Sequence, residues 1–159
     1  MARLIPNEST WVGFATTIAA TDLEPTAAEV AAATVVTPLL ISLNASSTGN
    51  TVPTPSFDTL FETSVPGTVS AQFSADFYRD DADDDAWDAF PRGTTGFMII
   101  SRFGGSGTAN LPVAADEVEV WPITVTSRTM QNMASNQVLM FSLTCSIPEE
   151  PNEAAIVAA

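Results

Sequence analysis

The chain has 159 residues, which is enough for one domain with a real core, and 45% of its residues are hydrophobic. It carries 19 acidic residues against five arginines, a formal net charge of −14, and has no His and no Lys. This composition excludes the basic surface of a nucleic-acid binder, a Ser-His-Asp triad, an imidazole metal site and a Schiff-base lysine, so we expect no enzyme, no cofactor and no bound metal.

The first part of the chain predicts two strands separated by a helix. Residues 10–18 are rich in aromatic and β-branched side chains, which favours a strand. Thr26 and Glu29 form a capping-box pattern that begins a helix, and this helix must end before Pro38. The apolar residues 39–43 predict the next strand.

Residues 44–57 predict a long loop. Their composition is dominated by Ser, Thr, Asn, Gly and Pro, with two prolines close together. Loops longer than about 12–15 residues are usually functional or disordered. We therefore expect this loop to become ordered only by packing on a neighbouring molecule.

The middle of the chain alternates between apolar and polar residues. Residues 70–77 place Ala and Phe on one face and Ser, Gln and Asp on the other, which predicts a half-buried strand. The aspartate-rich run that follows suits a helix N-terminus, because the helix dipole favours negative charge there. Trp87 and Phe90 then share one helical face, and Pro91 ends the helix.

The aspartates of this run are the candidate ligands for a metal ion. They are Asp80, Asp81, Asp83, Asp84, Asp85 and Asp88. A calcium-binding EF-hand needs Gly at the sixth and Glu at the twelfth position of its loop. Counted from Asp80, these positions hold Asp85 and Pro91. We therefore interpret the cluster as the solvated start of a helix.

The second half of the chain predicts three more strands. Residues 96–103 are almost continuously apolar, as in a strand covered on both faces, and residues 104–116 predict a flexible loop. The alternation of the following strand slips at residues 121–122, which we interpret as a β-bulge. Residues 128–136 predict a hairpin turn, and residues 139–147 alternate as a strand.

Secretion and membrane insertion are not indicated by the sequence. The longest uncharged apolar stretch, residues 30–43, is shorter than the about 20 residues that cross a bilayer. The first residues lack the apolar segment of a signal peptide. The sole cysteine, Cys145, is expected to be a buried thiol. We therefore expect no membrane contact and a protein that is made and kept in a cytosol.

These elements predict a single domain over residues 1–159. We expect a mainly β fold, an antiparallel β-sandwich or barrel with one or two short flanking helices. Its outlying parts are a flexible N-terminal arm, the 44–57 loop and an acidic, mobile tail from about residue 148. The predicted core residues are Trp11, Phe73, Phe77, Trp87, Phe90, Trp121 and Phe141.

Four long segments resemble the major tail proteins of siphophages that infect actinobacteria. They are RLIPNESTWVGF, TPLLISLNASSTGNTVPTPSFDTLFETSVPGT, FSADFYRDDADDDAWDAFPRGTTGF and EVWPITVTSRTMQNMASNQVLMFSLTCSIPEEP. Together they span most of the chain, and matches of this length are more specific than a short motif.

The resemblance implies a phage tail tube-like fold and a structural role in the virion tail. Subunits of that family form hexameric rings, which stack around a tape measure protein and line a channel through which DNA passes without specific binding. The resemblance also implies tail terminator and distal tail proteins as partners, and assembly in the cytoplasm of the host bacterium.

We expect contacts between subunits in the N-terminal arm, the predicted loop and the predicted hairpin turn. The candidate contact residues are Asn44, Thr48, Asn50, Met130, Asn132, Met133 and Asn136. For the two methionines, a position folded back onto the core is equally compatible with the pattern. The candidate interface arginines are Arg79, Arg102 and Arg128. Some acidic side chains are expected to face the channel, where like charge keeps DNA from adhering.

Two other classes of protein remain open at this point. One is an acidic β-sandwich binding module that recognises a sugar or a host surface, and the other is a different virion protein, such as a head decoration protein. The tryptophans Trp11, Trp87 and Trp121 are interpreted as core or bulge residues, which disfavours a sugar platform. Tubes or rings seen by electron microscopy distinguish the tube subunit from a binding module.

Overall fold

The described part of the chain forms eight strands and two short α-helices in this computed structural model, which describes residues 9–58, 60–82 and 84–159. In chain order the elements are β1 (Trp11–Ala15), α1 (Ala27–Ala32), β2 (Thr34–Val35), β3 (Leu40–Thr54), β4 (Thr63–Tyr78), α2 (Asp85–Ala89), β5 (Thr95–Ser101), β6 (Glu117–Met130), β7 (Met140–Ser146) and β8 (Asn152–Ile156). The strands pair in the antiparallel order β2-β1-β5-β6-β7-β4-β3, and β8 pairs with β6. The predicted mainly antiparallel fold with short flanking helices is confirmed.

The sheet is rolled around one hydrophobic cluster, which we call the inner core. Val12 of β1 and Phe77 of β4 belong to this cluster, although their strands lie near opposite ends of the sheet. Phe90, which follows α2, packs its ring 5.0 Å from Phe14 and 5.6 Å from Phe77. The predicted core residues that are buried here are Phe73, Phe77, Phe90, Trp121 and Phe141.

A second cluster, the outer core, covers the other face of strands β1, β5 and β6. Its buried members include Trp11 of β1, Ile99 of β5 and Val120 of β6. Helix α1 contributes Val30 to this cluster, and the segment after β8 contributes Val157. Strands β5 and β6 are therefore buried on both faces, which explains the continuous apolar run of β5.

Helix α1 begins with the capping box that its sequence predicts. The Thr26 hydroxyl accepts a hydrogen bond from the Glu29 backbone N–H at 3.3 Å. The Glu29 carboxylate accepts from the Thr26 backbone N–H at 2.8 Å and from that of Ala19 at 2.8 Å. These bonds lower the pKa of Glu29, the bond from the Thr26 backbone most of all, because they favour the charged carboxylate.

The predicted bulge at residues 121–122 was wrong. Strand β6 pairs with β5 in unbroken register from Glu119 to Thr124. The apparent slip arises because Val120 and Trp121 are both buried, on opposite faces of the sheet, in the outer and inner cores. One edge of β6 pairs with β5, and the other edge pairs with β8 up to Val120 and with β7 from Thr124 onward. Pro122 lies in the gap between β8 and β7, so its missing backbone N–H is tolerated there.

The prediction of a mobile acidic tail from about residue 148 was also wrong. Strand β8 pairs with β6, and Ala155 and Val157 are buried in the outer core. The Ala158 backbone N–H donates to Pro25 O at 2.8 Å, and its carbonyl accepts from Ala27 N–H at 2.9 Å. The apolar side chains of the last residues supply the burial that holds this segment on the sheet.

The prediction of a loop over residues 44–57 was wrong as well. Residues 44–54 belong to β3, which pairs with β4 as far as Thr54 and Thr63. Their Ser, Thr and Val content is compatible with an extended strand, but neither face is deeply buried, so no alternation of hydrophobic residues reveals it. The predicted loop over residues 104–116 contains no strand, and its Asp116 carboxylate accepts hydrogen bonds from Ser106 N, Ser106 Oγ and Val113 N at 2.6–2.9 Å.

Candidate assembly surfaces

A two-stranded ribbon extends beyond the rolled sheet. We call residues 46–54 of β3 and 63–72 of β4 the ribbon. Strand β4 pairs with β7 from Phe73 to Tyr78, whereas its pairing with β3 continues to the pair Thr54–Thr63. At about 3.3 Å per residue, the ribbon is about 25 Å long. It ends in a turn that contains Phe57 and Leu60, both fully exposed.

The ribbon is exposed, and its two strands carry no charged residue although the chain has a net charge of −14. Val52, Val65 and Val69 are each about half exposed, at 51%, 47% and 60%. Edge strands of soluble proteins are usually protected by charged side chains or by proline. Here only the prolines are present, Pro53 and Pro66, and these limit strand addition at two positions. The ribbon therefore has the composition of a surface that another chain covers in a defined register.

An arginine bonds to the base of the ribbon. We call the pair of Ala45 and Phe73 the root of the ribbon, because Phe73 is the first β4 residue that also pairs with β7. The Arg102 Nη2 group donates to the Ala45 carbonyl at 3.4 Å and to the Glu119 carboxylate at 2.9 Å, and its Nε donates to the other oxygen of Glu119. Bonding to Glu119 is the main reason that the pKa of Arg102 is raised. Trp121 Nε1 donates to the same carboxylate at 3.1 Å, so Glu119 is fixed from both sides.

A polar surface covers the outside of strands β3, β4, β7 and the end of β6. Cross-strand partners share a face, and here the partners are almost all hydroxyl or amide side chains. They are Ser42, Asn44, Ser46, Thr48, Ser70, Gln72, Ser74, Asp76, Thr124, Ser127, Thr129, Ser142, Thr144 and Ser146. Asp76, the only charged residue of this set, accepts bonds from Ser142 Oγ at 2.6 Å and from Ser42 Oγ at 2.7 Å. These bonds, that from Ser142 first, lower the pKa of Asp76.

The candidate contact residues of the sequence analysis fall into two groups. Asn44, Thr48 and Asn50 are exposed in β3. Asn44 and Thr48 are an even number of positions apart in regular pairing, so they lie on the same side, whereas Asn50 lies in the register shift between Gly49 and Thr51. The other group lies at or after Met130, the last residue of β6. The predicted hairpin turn over residues 128–136 therefore starts too early, since residues 128–130 still belong to the strand. Met130 packs against the inner core, whereas Met133 is 82% exposed. Asn132 and Asn136 are exposed beside it.

The prediction that Trp87 is a core residue was only half right, because its side chain is half-buried at the surface. Two guanidinium groups lie over its ring, with the Cζ of Arg79 4.3 Å and that of Arg128 3.5 Å from the ring centre. Arg128 Nη1 also donates to the Trp87 carbonyl at 2.5 Å, and Arg79 forms an ion pair with Asp84 at 2.9 Å. These arginines, like Arg102, therefore make contacts within their own chain.

A metal site and a membrane-spanning helix are not formed by the described residues. No group of three or more Cys, His, Asp or Glu side chains in that part of the chain is placed to hold a metal ion. No helix within the same residues is long and apolar enough to cross a membrane. The candidate functional surfaces are thus the ribbon with its root and the polar outer face.

Comparisons with known proteins agree with this architecture. The sequence matches the family described as "Phage tail tube protein" over residues 1–159. No curated protein matches the chain. A subunit from the tail of an empty GTA particle with C6 symmetry has a similar fold, with a TM-score of 0.58 and 14% identity, over 97% of this chain and 100% of that one.

A subunit of the anti-feeding prophage baseplate, from a 6-fold symmetrised cryo-EM structure, is similar as well. Its TM-score is 0.57 at 8% identity, and the match covers 95% of each chain. At these identities the two structures establish the fold, and the family match over the whole length establishes the kind of protein. The chain belongs to the phage tail tube protein family and is a structural component of a phage tail.

Proposed function

We propose that this chain assembles, mainly through the ribbon, into stacked six-membered rings that form the tube of a long-tailed phage. The observation that carries the proposal is the exposed, charge-free ribbon on a strongly acidic chain. The six-fold symmetry of the two structures with a similar fold supports the ring size.

The ribbon is suited to binding another copy for two physical reasons. An isolated two-stranded ribbon is marginally stable in water, so burial against a neighbour stabilises it. Acidic subunits also repel one another, and a contact surface without carboxylates reduces that repulsion where the subunits meet. The exposed Val52, Val65 and Val69 supply apolar area for the contact. Asn44, Thr48 and Asn50 on β3, and Asn132, Met133 and Asn136 after β6, are proposed to contribute polar and adaptable contacts.

The proposed tube encloses a channel that DNA passes without binding. Some acidic side chains of each subunit face this channel, and their charge repels the phosphate backbone. Three of the five arginines bond or stack within their own chain, which leaves little basic surface for phosphate. A channel lined mostly by arginine in a structure of the assembled tube contradicts this part of the proposal.

The finer assignments follow from the sequence resemblance. We propose that the phage is a siphophage of an actinobacterial host, and that the rings form around a tape measure protein in the host cytoplasm. The tube would end on tail terminator and distal tail proteins. Isolation of tails from such a phage, followed by mass spectrometry of their subunits, tests these assignments.

Shortening the ribbon tests the central proposal. Thr48 and Ser70 face each other across the two strands, so residues 49–69 can be replaced by an Asn-Gly turn without changing the register below them. We expect a folded monomer by circular dichroism and gel filtration, and no tubes by negative-stain electron microscopy. The control is Ala31→Ser on the exposed side of α1, which should assemble normally. Tubes of normal diameter from the shortened chain overturn the proposal.

A further inference from the structure

Building on the proposed role of the ribbon, we propose that Arg102 is a positioning residue for assembly. It fixes the direction in which the ribbon leaves the rolled sheet before a second copy binds. Arg102 does not need to touch the neighbouring subunit for this role, and it acts through the backbone of β3.

The geometry places Arg102 at the point where the ribbon leaves the rolled sheet. From the pair Ala45–Phe73 towards Tyr78, β4 is paired with β7 as well as with β3. From that pair towards Thr54 and Thr63, the two ribbon strands are paired with each other. Arg102 Nη2 bonds to the carbonyl of Ala45 itself. The same guanidinium is held by both carboxylate oxygens of Glu119 on β6, so the root of the ribbon is tied to the wall of the rolled sheet.

A second polar contact holds the ribbon at Ser47, two residues beyond Ala45. The Ser47 hydroxyl donates to the Glu153 carboxylate on β8. Glu153 also attracts Arg102 electrostatically. Polar side chains therefore link the ribbon root to two strands of the body, β6 and β8, in addition to the apolar packing of Phe73 in the inner core.

This arrangement separates positioning from global stability. The Arg102 side chain is 46% exposed, and exposed ion pairs contribute little to the stability of a fold. A ribbon that swings freely, however, must be ordered each time a subunit adds to the tube, and that ordering slows or weakens association. Loss of Arg102 should therefore affect the mobility of the ribbon and the rate of assembly much more than the melting temperature.

The planar fork of arginine is needed for this role. One guanidinium bonds to two carboxylate oxygens and one carbonyl at fixed angles, whereas a lysine ammonium is a point charge on a flexible stem. Arg102→Lys keeps the charge opposite Glu119 but should lose the simultaneous bond to Ala45. A charge effect alone predicts that Lys restores function, and the positioning role predicts that it does not.

Hydrogen exchange of the monomer and assembly kinetics of the full chain together test the inference. The variants are Arg102→Ala, Arg102→Lys and Ser47→Ala, and the matched control is Arg92→Ala, which removes the same charge from an exposed site. We expect about fivefold faster amide exchange in residues 46–72 of Arg102→Ala, the most that loss of an exposed ion pair accounts for. Arg102→Lys should also exchange faster than the parent chain in these residues, because it loses the bond to Ala45. We expect a smaller increase in Ser47→Ala, slower tube growth in each of these variants, and no change in Arg92→Ala.

Several outcomes overturn the inference. Unchanged exchange in the ribbon of Arg102→Ala shows that the ties do not hold it. Faster exchange with normal assembly shows that its direction does not matter. Equal slowing in Arg92→Ala, or full rescue by Lys, assigns the effect to charge. If the shortened-ribbon chain forms normal tubes, the proposed function fails, whereas the exchange measurement on the monomer still decides whether Arg102 holds the ribbon.

Discussion

Ala45 of β3 lies opposite Phe73 of β4, and at this pair β4 changes from an exposed strand to one with a buried face. Phe73 is buried in the inner core, whereas every described residue from 46 to 70 is exposed. Mutations of the buried β4 residues from Phe73 onward should therefore change folding, whereas mutations of the exposed residues from 46 to 70 should change assembly.

A charge on the ribbon should block assembly without unfolding the subunit. Val69 is exposed and pairs with Gly49, so Val69→Glu removes no buried contact, and the free energy of unfolding should change by less than about 0.5 kcal/mol. Each ring contact gains a carboxylate, and tube formation should fail. Thr16→Glu, at an exposed position outside the ribbon, is the control. Normal tubes from Val69→Glu, counted by electron microscopy, contradict the assigned contact.

Salt should promote tube formation. Each subunit carries a net charge of −14, and the repulsion between subunits is screened over a Debye length of about 10 Å at 0.1 M salt. Light scattering should show faster growth as sodium chloride rises from low to moderate concentration. Growth that slows over this range indicates that attractive ion pairs dominate the contacts instead.

The C-terminal residues should contribute measurably to stability. Val157 is 1% exposed and packs in the outer core against α1 and β6. Val157→Ala should lower the free energy of unfolding by about 2 kcal/mol, because it removes two buried methyl groups and leaves a cavity. Ala159→Ser, at an exposed position two residues later, should have no effect in the same urea titration. Equal stability of the two variants means that the C-terminal segment does not dock in solution.

Stability should fall in acid through carboxylates that are held in their charged form. The pKa of Asp116 is lowered, first by the Ser106 hydroxyl and then by the Val113 and Ser106 N–H groups. A lowered folded-state pKa stabilises the fold above the unfolded pKa, and this stabilisation is lost as pH falls through the folded pKa. Chemical denaturation between pH 6 and pH 2 should show a weaker acid dependence in Asp116→Asn than in the parent chain. An identical dependence contradicts the role of this carboxylate.

The thiol of Cys145 should be unreactive in the folded chain. Burial raises its pKa to about 12, so the thiolate, which is the reactive form, is scarce at pH 8. A thiol reagent such as DTNB should label the native protein slowly and the urea-unfolded protein at once. Rapid labelling of the native protein shows that β7 opens readily.

Local sequence patterns predicted the elements whose signals are themselves local. The Thr26–Glu29 capping box correctly places the start of α1, because both bonds form within one turn. The alternation of residues 139–147 correctly predicts β7, since one face of this strand contacts the inner core. The ribbon was missed because its side chains face solvent on both sides. The Val and Thr residues that flank the turn, at 51–54 and 63–66, were the available signal.

The sequence by itself determined the chemical character and the fold class: the chain is strongly acidic, has no His and no Lys, and alternates in the way that specifies a mainly β protein. Only the tertiary structure decided which residues meet. It showed that Val120 and Trp121 are buried on opposite faces, that the acidic tail adds a strand to β6, and that Arg102 reaches the root of the ribbon from 57 residues away. These contacts depend on long-range strand register, which local composition and period do not specify.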